Sequence, residues 1–170
     1  MLIETKGITE LGLAFGNTWS VVAIVVASIL LMGFAANQWV LRAGPASGKW
    51  AYSLLFMSLA LGWGVTYLSL TGIAIPGAIF VLPVALTLPL LFAGLIFSSA
   101  LAVADDIGSA LSANIFGAML GGFMEYNSMY WGYTSLYPLG IVLYGLAFVC
   151  HGRAAAVAQA TPEAELPLAA

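Results

Sequence analysis

The sequence predicts an all-α integral membrane protein with about five transmembrane helices, the third region broken by prolines. Composition is the first reason. Of the 170 residues, 62% are hydrophobic and only 6% are charged, where soluble domains carry about 25% charged residues. A soluble fold of this length cannot bury that much apolar surface, because surface area falls too slowly with size. Charge segregation is the second reason. No Asp, Glu, Lys or Arg lies between Glu10 and Arg42 or between Lys49 and Asp105, gaps of 31 and 55 residues. About 20 suffice to cross a hydrocarbon core. Punctuation is the third: Arg42-Ala-Gly-Pro45, Thr71-Gly72 and Asp105-Asp106 divide the apolar runs with residues that end helices or cap new ones.

Taken in order, residues 5–15 can form a short amphipathic helix on the outer membrane surface. The first span is expected over 19–41, with Asn17 and Thr18 offering an N-cap. The second, over 51–70, begins behind Lys49-Trp50. The region 73–104 holds 32 residues, and one straight helix of that length would rise about 48 Å, more than a membrane needs. Pro76, Pro83 and Pro89 kink or interrupt its first half. Residues 73–82 are therefore expected as a loop, half-helix or re-entrant piece, and the span as 83–103. The fourth span is expected over 108–129, capped by Asp105-Asp106, and the fifth over 135–150. Three parts result: an N-terminal interfacial segment (1–18), a transmembrane helical domain (19–152) and a flexible C-terminal tail (153–170). The last ten residues of that tail hold two prolines and two glutamates, a composition that resists packing.

Five spans place the two ends of the chain on opposite sides. The 42–49 loop and Arg153 then share a side, which the positive-inside rule makes the cytoplasm. The expected location is the bacterial inner membrane, with the N-terminus outside and the C-terminus cytoplasmic. Tyr126, Tyr130, Trp131, Tyr133 and Tyr137 cluster around the last loop, where aromatic rings suit the headgroup layer. A net charge of −3 with four basic residues argues against nucleic acid as a partner. The single Cys150 allows no intrachain disulfide.

The fourth span carries a stripe of small and polar residues: Asn114, Gly117, Gly121, Glu125 and Ser128. Spacings of three and four put them on one helix face. Gly117-x-x-x-Gly121 is the pattern that lets two helix backbones approach closely. Glu125 is the only charge between Asp106 and Arg153. A carboxylate at membrane depth costs roughly 2–4 kcal/mol and needs a protein partner, water or a proton. Two readings are open. The stripe is a helix–helix contact in which Glu125 accepts hydrogen bonds, or it is a polar pathway or pocket centred on Glu125.

His151, at the end of the fifth span, reads as a capping cation or as a ligand to a metal, haem or chlorophyll. The adjacent Cys150 points elsewhere on the helix, so the two make no joint site. Asp105-Asp106 reads as a helix cap or a cation site. The sequence has no phosphate-cradling loop with Lys, no HExxH and no Cys pair. No catalytic residue and no resident metal are assigned, and the chain is not expected to be an enzyme. No cofactor is evident; a bound lipid, haem or chlorophyll stays open.

Four stretches also resemble a known group. They are ELGLAFGNTW (10–19), ASILLMGFAAN (27–37), LFAGLIFS (91–98) and SALSANIFGAMLGGFMEY (109–126), the last continuing to Gly132-Tyr133 and Leu136-Tyr137. In this order they resemble the C-terminal membrane segment of large bacterial multi-pass proteins labelled spermidine-synthase-like or of unknown function. The resemblance covers roughly residues 6–150 and is most specific in the fourth span, glutamate included. It implies a multi-helical membrane module. It does not imply aminopropyl transfer, because the methyltransferase-like fold of that group is a separate soluble region with no counterpart here.

The expected function is a non-catalytic accessory or scaffold subunit of a larger membrane protein complex, photosynthetic or respiratory. Its partners would be membrane lipids and other integral membrane subunits, met through the small-residue face of the fourth span. The alternative is a small transporter or channel in which Glu125 couples to protons or cations. An enzyme-associated role would require a partner chain bearing the catalytic fold.

Overall fold

The computed structural model describes residues 2–16, 19–70 and 78–160. Helices α1 (Leu2–Phe15), α2 (Trp19–Ala43), α3 (Gly48–Leu70), α4 (Ala78–Ala102) and α5 (Ile107–Glu125) come first. A single turn, α6 (Ser128–Trp131), and a 3-10 turn (Tyr133–Ser135) lead into α7 (Leu136–Ala160). There is no strand among the described residues. Four segments are long and apolar enough to cross a membrane: Trp19–Ala43, Leu82–Ala102, Ile107–Trp131 and Leu136–Arg153. The architecture is that of an all-α, multi-pass membrane protein.

The expected second span is α3. It has 23 residues but is not among those four segments. Ser53, Ser58, Gly62, Gly64 and Thr66 dilute its apolar character. Its position explains why this is tolerated. It packs along α4, with Leu55 and Leu59 fully buried, so protein rather than lipid surrounds that face and can accommodate polar side chains.

The most extensive packing is between α2 and α4, then between α3 and α4. Small residues allow it. A Cβ built on Gly94 would lie 3.2 Å from the Ala36 Cβ and 4.0 Å from the Gly33 Cα, so the α2 and α4 backbones nearly touch. Leu11, Val25, Leu55, Leu59, Leu82 and Leu86 fill the shared core with Tyr52 and Tyr137. Two contacts fix one end of the bundle. The Ala46 N–H donates to Ser99 Oγ at 3.0 Å, and Gly48 lies against His151. The α2–α3 loop, the close of α4 and the late turns of α7 therefore share one end, the Arg42 end. Tyr137, which opens α7, meets Gly62 late in α3 and marks the opposite end, where α5 finishes at Glu125.

Four elements refine or differ from the sequence reading. The N-terminal helix does not lie on the surface. It packs on α4, α2 and α7, and Leu2, Ile3, Lys6, Glu10 and Leu11 are buried. In α4, the apolar span Leu82–Ala102 is the one expected over 83–103, and the helix itself starts at Ala78 and runs through Pro83 and Pro89, the half-helix alternative for that end. Pro83 falls early in the helix, where few backbone bonds depend on its missing N–H. Thr87 Oγ1 also donates to the Pro83 carbonyl at 2.7 Å. Residues 73–77 of the expected loop lie outside the described residues. The fourth span runs over Ile107–Trp131, much as expected, but its α-helix is interrupted at Tyr126-Asn127 before α6. Finally, α7 continues to Ala160, well into the stretch expected to be flexible; residues 161–170 of that tail lie outside the described residues.

Candidate functional site

Asp106 starts α5. Its carboxylate accepts the Gly108 N–H at 2.9 Å, the N-cap that the Asp105-Asp106 pair suggested. From there the helix runs with almost nothing beside it. No residue of α5 is buried, and its main packing against another long helix is a small region shared with α1. Asn114 and Gly117 are uncovered. A Cβ built on Gly117 or Gly122 would meet nothing within 4 Å. Among the described residues the small-residue face is open at Gly117 and Gly122.

The expected stripe therefore divides. Asn114 and Gly117 stand on the open part of α5, while Gly121 and Glu125 are half-buried near its end. Ser128 lies beyond the turn on α6 and is buried. Glu125 and Ser128 share a cleft of about 410 Å³ with Thr5, Gly122, Tyr126, Met129 and Tyr133. Asn114 is not part of it. Among the described residues Glu125 has no hydrogen bond or ion pair. As the last residue of α5 it sits beside exposed Tyr126, Met129 and Tyr130. That position lets a carboxylate reach towards the interface and lowers the cost expected at mid-membrane.

His151 is exposed at the Arg42 end, with its ring close to Gly48. A Cβ there would lie 2.6 Å from His151 Nε2. The Tyr52 ring is 6.0 Å away, centroid to centroid. A cavity of about 250 Å³ lies here between the α2–α3 loop, Tyr52, Ser99 and His151. Among the described residues no three His, Cys, Asp or Glu side chains are grouped to hold a metal ion, and Cys150 is an exposed free thiol.

The sequence reading missed a second polar cluster. Lys6 and Glu10 form an ion pair inside the fold, their side chains 2% and 11% exposed. Lys6 Nζ stands 6.0 Å from the Tyr137 ring centroid. Tyr137 and Thr66 are buried, their hydroxyls close enough to interact with each other. One signal was available. Ile3, Lys6, Gly7, Glu10 and Leu11 share one helix face, so opposite charges four residues apart lie within an apolar stripe.

Compared with known proteins, the chain matches no family, no curated relative and no solved structure.

Proposed function

We propose that this protein is a non-catalytic accessory or scaffold subunit of a larger membrane complex and docks through the open face of α5. One observation carries the reading. A helix of membrane-spanning length has no buried residue and presents Asn114 beside an unobstructed Gly117 backbone. Small residues permit close helix approach, and an amide at membrane depth gains about 1–2 kcal/mol or less from a hydrogen bond across helices. The resemblance of 109–126 to a bacterial membrane module agrees with this role. The partners are integral membrane subunits and lipids, in an energy-converting assembly, photosynthetic or respiratory, of the bacterial inner membrane. The Arg42–Lys49 and Arg153 side is taken as cytoplasmic.

Native mass spectrometry of gently solubilised membranes, with a tag on this chain and an absorption spectrum, tests the proposal. A discrete larger complex is the expected result, and Gly117→Leu should release the chain from it. A free, monodisperse chain would overturn the reading. A second reading rests on the cleft around Glu125. There the carboxylate would couple transport to protons or cations, and unchanged uptake or conductance in Glu125→Gln would exclude it.

A further inference from the structure

The basic residues of this chain are not spread evenly. There are four Lys and Arg in all, and Lys6 is taken up by Glu10 inside the fold. The other three, Arg42, Lys49 and Arg153, share the end where Gly48 meets His151. Among the described residues none of the three has a carboxylate within ion-pair reach. Asp105 and Asp106 stand at the same end, on the turn between α4 and α5, and Asp106 is engaged by the Gly108 N–H.

Arg42 does not stand on a plain helix surface. Ala35, Gln38, Trp39 and Arg42 follow one face of α2, at spacings of three and four, and line a cleft of about 460 Å³. Ala35 and Trp39 also line an apolar groove of about 140 Å³, together with Trp50 of α3 and Leu91 of α4. The two hollows therefore adjoin. Small side chains at Ala35 and Ala36 leave the space. Ala36 and Leu95 are buried and form the floor, while Trp39 and Trp50 are half-exposed and form the rim. The close α2–α4 crossing at Ala36 and Gly94 keeps the groove preformed. Arg42 stands two turns beyond Ala35, about 10 Å further along the span.

We propose that this groove binds an anionic phospholipid, with an acyl chain in the apolar part and the phosphate on Arg42. A guanidinium meets a phosphate with two parallel hydrogen bonds. Indole rings suit the headgroup layer, where their N–H groups find acceptors. Basic pockets between helices at a membrane surface attract anionic headgroups. An inorganic anion would leave the apolar part of the groove unfilled. A partner helix is about 10 Å across with its side chains, too wide for a groove of about 140 Å³. The site lies on α2, α3 and α4 and does not use the open face of α5.

The test is native mass spectrometry of the full chain released from mixed micelles, with dioleoylphosphatidylglycerol or dioleoylphosphatidylcholine added in steps. The acyl chains are the same, so the comparison isolates the headgroup charge. The phosphatidylglycerol adduct is expected at a concentration about 10-fold lower, the scale of one hydrogen bond to a charged group. Arg42→Gln should remove that preference and leave phosphatidylcholine binding unchanged. Ala35→Leu fills the groove and should weaken both lipids. Both positions are exposed, so the variants keep the fold. Arg153→Gln removes the same charge at the same end, outside the groove, and should bind like the wild type. Equal binding of the two lipids by the wild type would overturn the proposal, as would unchanged binding in Ala35→Leu. An Arg153→Gln loss as large as that of Arg42→Gln would mean diffuse surface charge and overturn it. Displacement of the bound lipid by inorganic phosphate would mean an anion site without an acyl groove and overturn it as well.

Discussion

Replacing Lys6 with methionine should strongly destabilise the fold, and adding Glu10→Met should restore most of the loss. The burial of the pair sets the magnitude. The Lys6 side chain is 2% exposed and that of Glu10 11%, so Lys6→Met leaves a carboxylate inside the bundle with no cation beside it. Breaking a buried pair from one side costs about 3–5 kcal/mol. The residual exposure of Glu10, and its ability to take up a proton, favour the lower end of that range. A loss of about 3 kcal/mol lowers the ratio of folded to unfolded protein roughly 100-fold. Replacing both partners removes the desolvation cost together with the attraction, so the double variant should fall within about 1 kcal/mol of the wild type. The double variant would then be about 2–3 kcal/mol more stable than Lys6→Met alone, and the Glu10→Met single variant completes the cycle that gives the coupling. Equilibrium unfolding in mixed micelles measures all four proteins of the cycle. A Lys6→Met cost below about 1 kcal/mol would mean that the pair is hydrated, as on the surface helix the sequence suggested. A double variant as unstable as the single would mean that the pair itself holds α1 in place.

Three further substitutions probe the packing. Gly94→Leu forces a side chain into the 3.2 Å approach to Ala36 and should cost about 1–3 kcal/mol or more in the same unfolding assay; an unchanged midpoint would separate α2 from α4 at this point. Gly62→Ala sets a methyl group 2.9 Å from the Tyr137 hydroxyl and 3.3 Å from its ring. With Tyr137 1% exposed the ring has little room to swing away, so a loss of about 1–3 kcal/mol is expected. Asp106→Ala removes the cap on Gly108 and should cost about 0.5–2 kcal/mol, seen as faster amide exchange in the first turn of α5.

The sequence showed most of the helical order, because long uncharged runs report directly on lipid as solvent. It was less informative wherever a residue is solvated by protein. Lys6 and Glu10 read as surface charges, since only the folded chain shows that they neutralise each other between α4 and α7. The polar dilution of α3 is the same effect in milder form. Pro83 was legible as the start of the span, which begins at Leu82, but the prolines left open whether helix precedes it, and it does, from Ala78. At the candidate site, the Gly117–Gly121 spacing identified a face suited to close approach but not what lies on it. The pattern would be the same for a helix of this chain, a partner or lipid. The turn at Tyr126-Asn127, which sends Ser128 into the cleft, carries no glycine or proline to announce it.

Two polar sets in this fold meet the same physical demand in opposite ways. A polar group in a low-dielectric bundle must find a counterpart, and α1 finds its own: Lys6 answers Glu10 four residues away, and the surrounding helices exclude water from both. On α5 the demand is not met from within. Asn114 stands on a span whose neighbouring glycine leaves the backbone open, and among the described residues nothing lies over that glycine. If α5 were simply a lipid-facing helix, an apolar side chain at 114 would serve better, and bulk at 117 would cost nothing. Both residues suit a helix supplied from outside the chain. Asn114→Leu and Gly117→Leu should therefore leave the unfolding of the isolated protein unchanged while weakening its retention in the membrane complex. If both substitutions destabilise the isolated protein instead, α5 packs within the fold and the docking surface lies elsewhere.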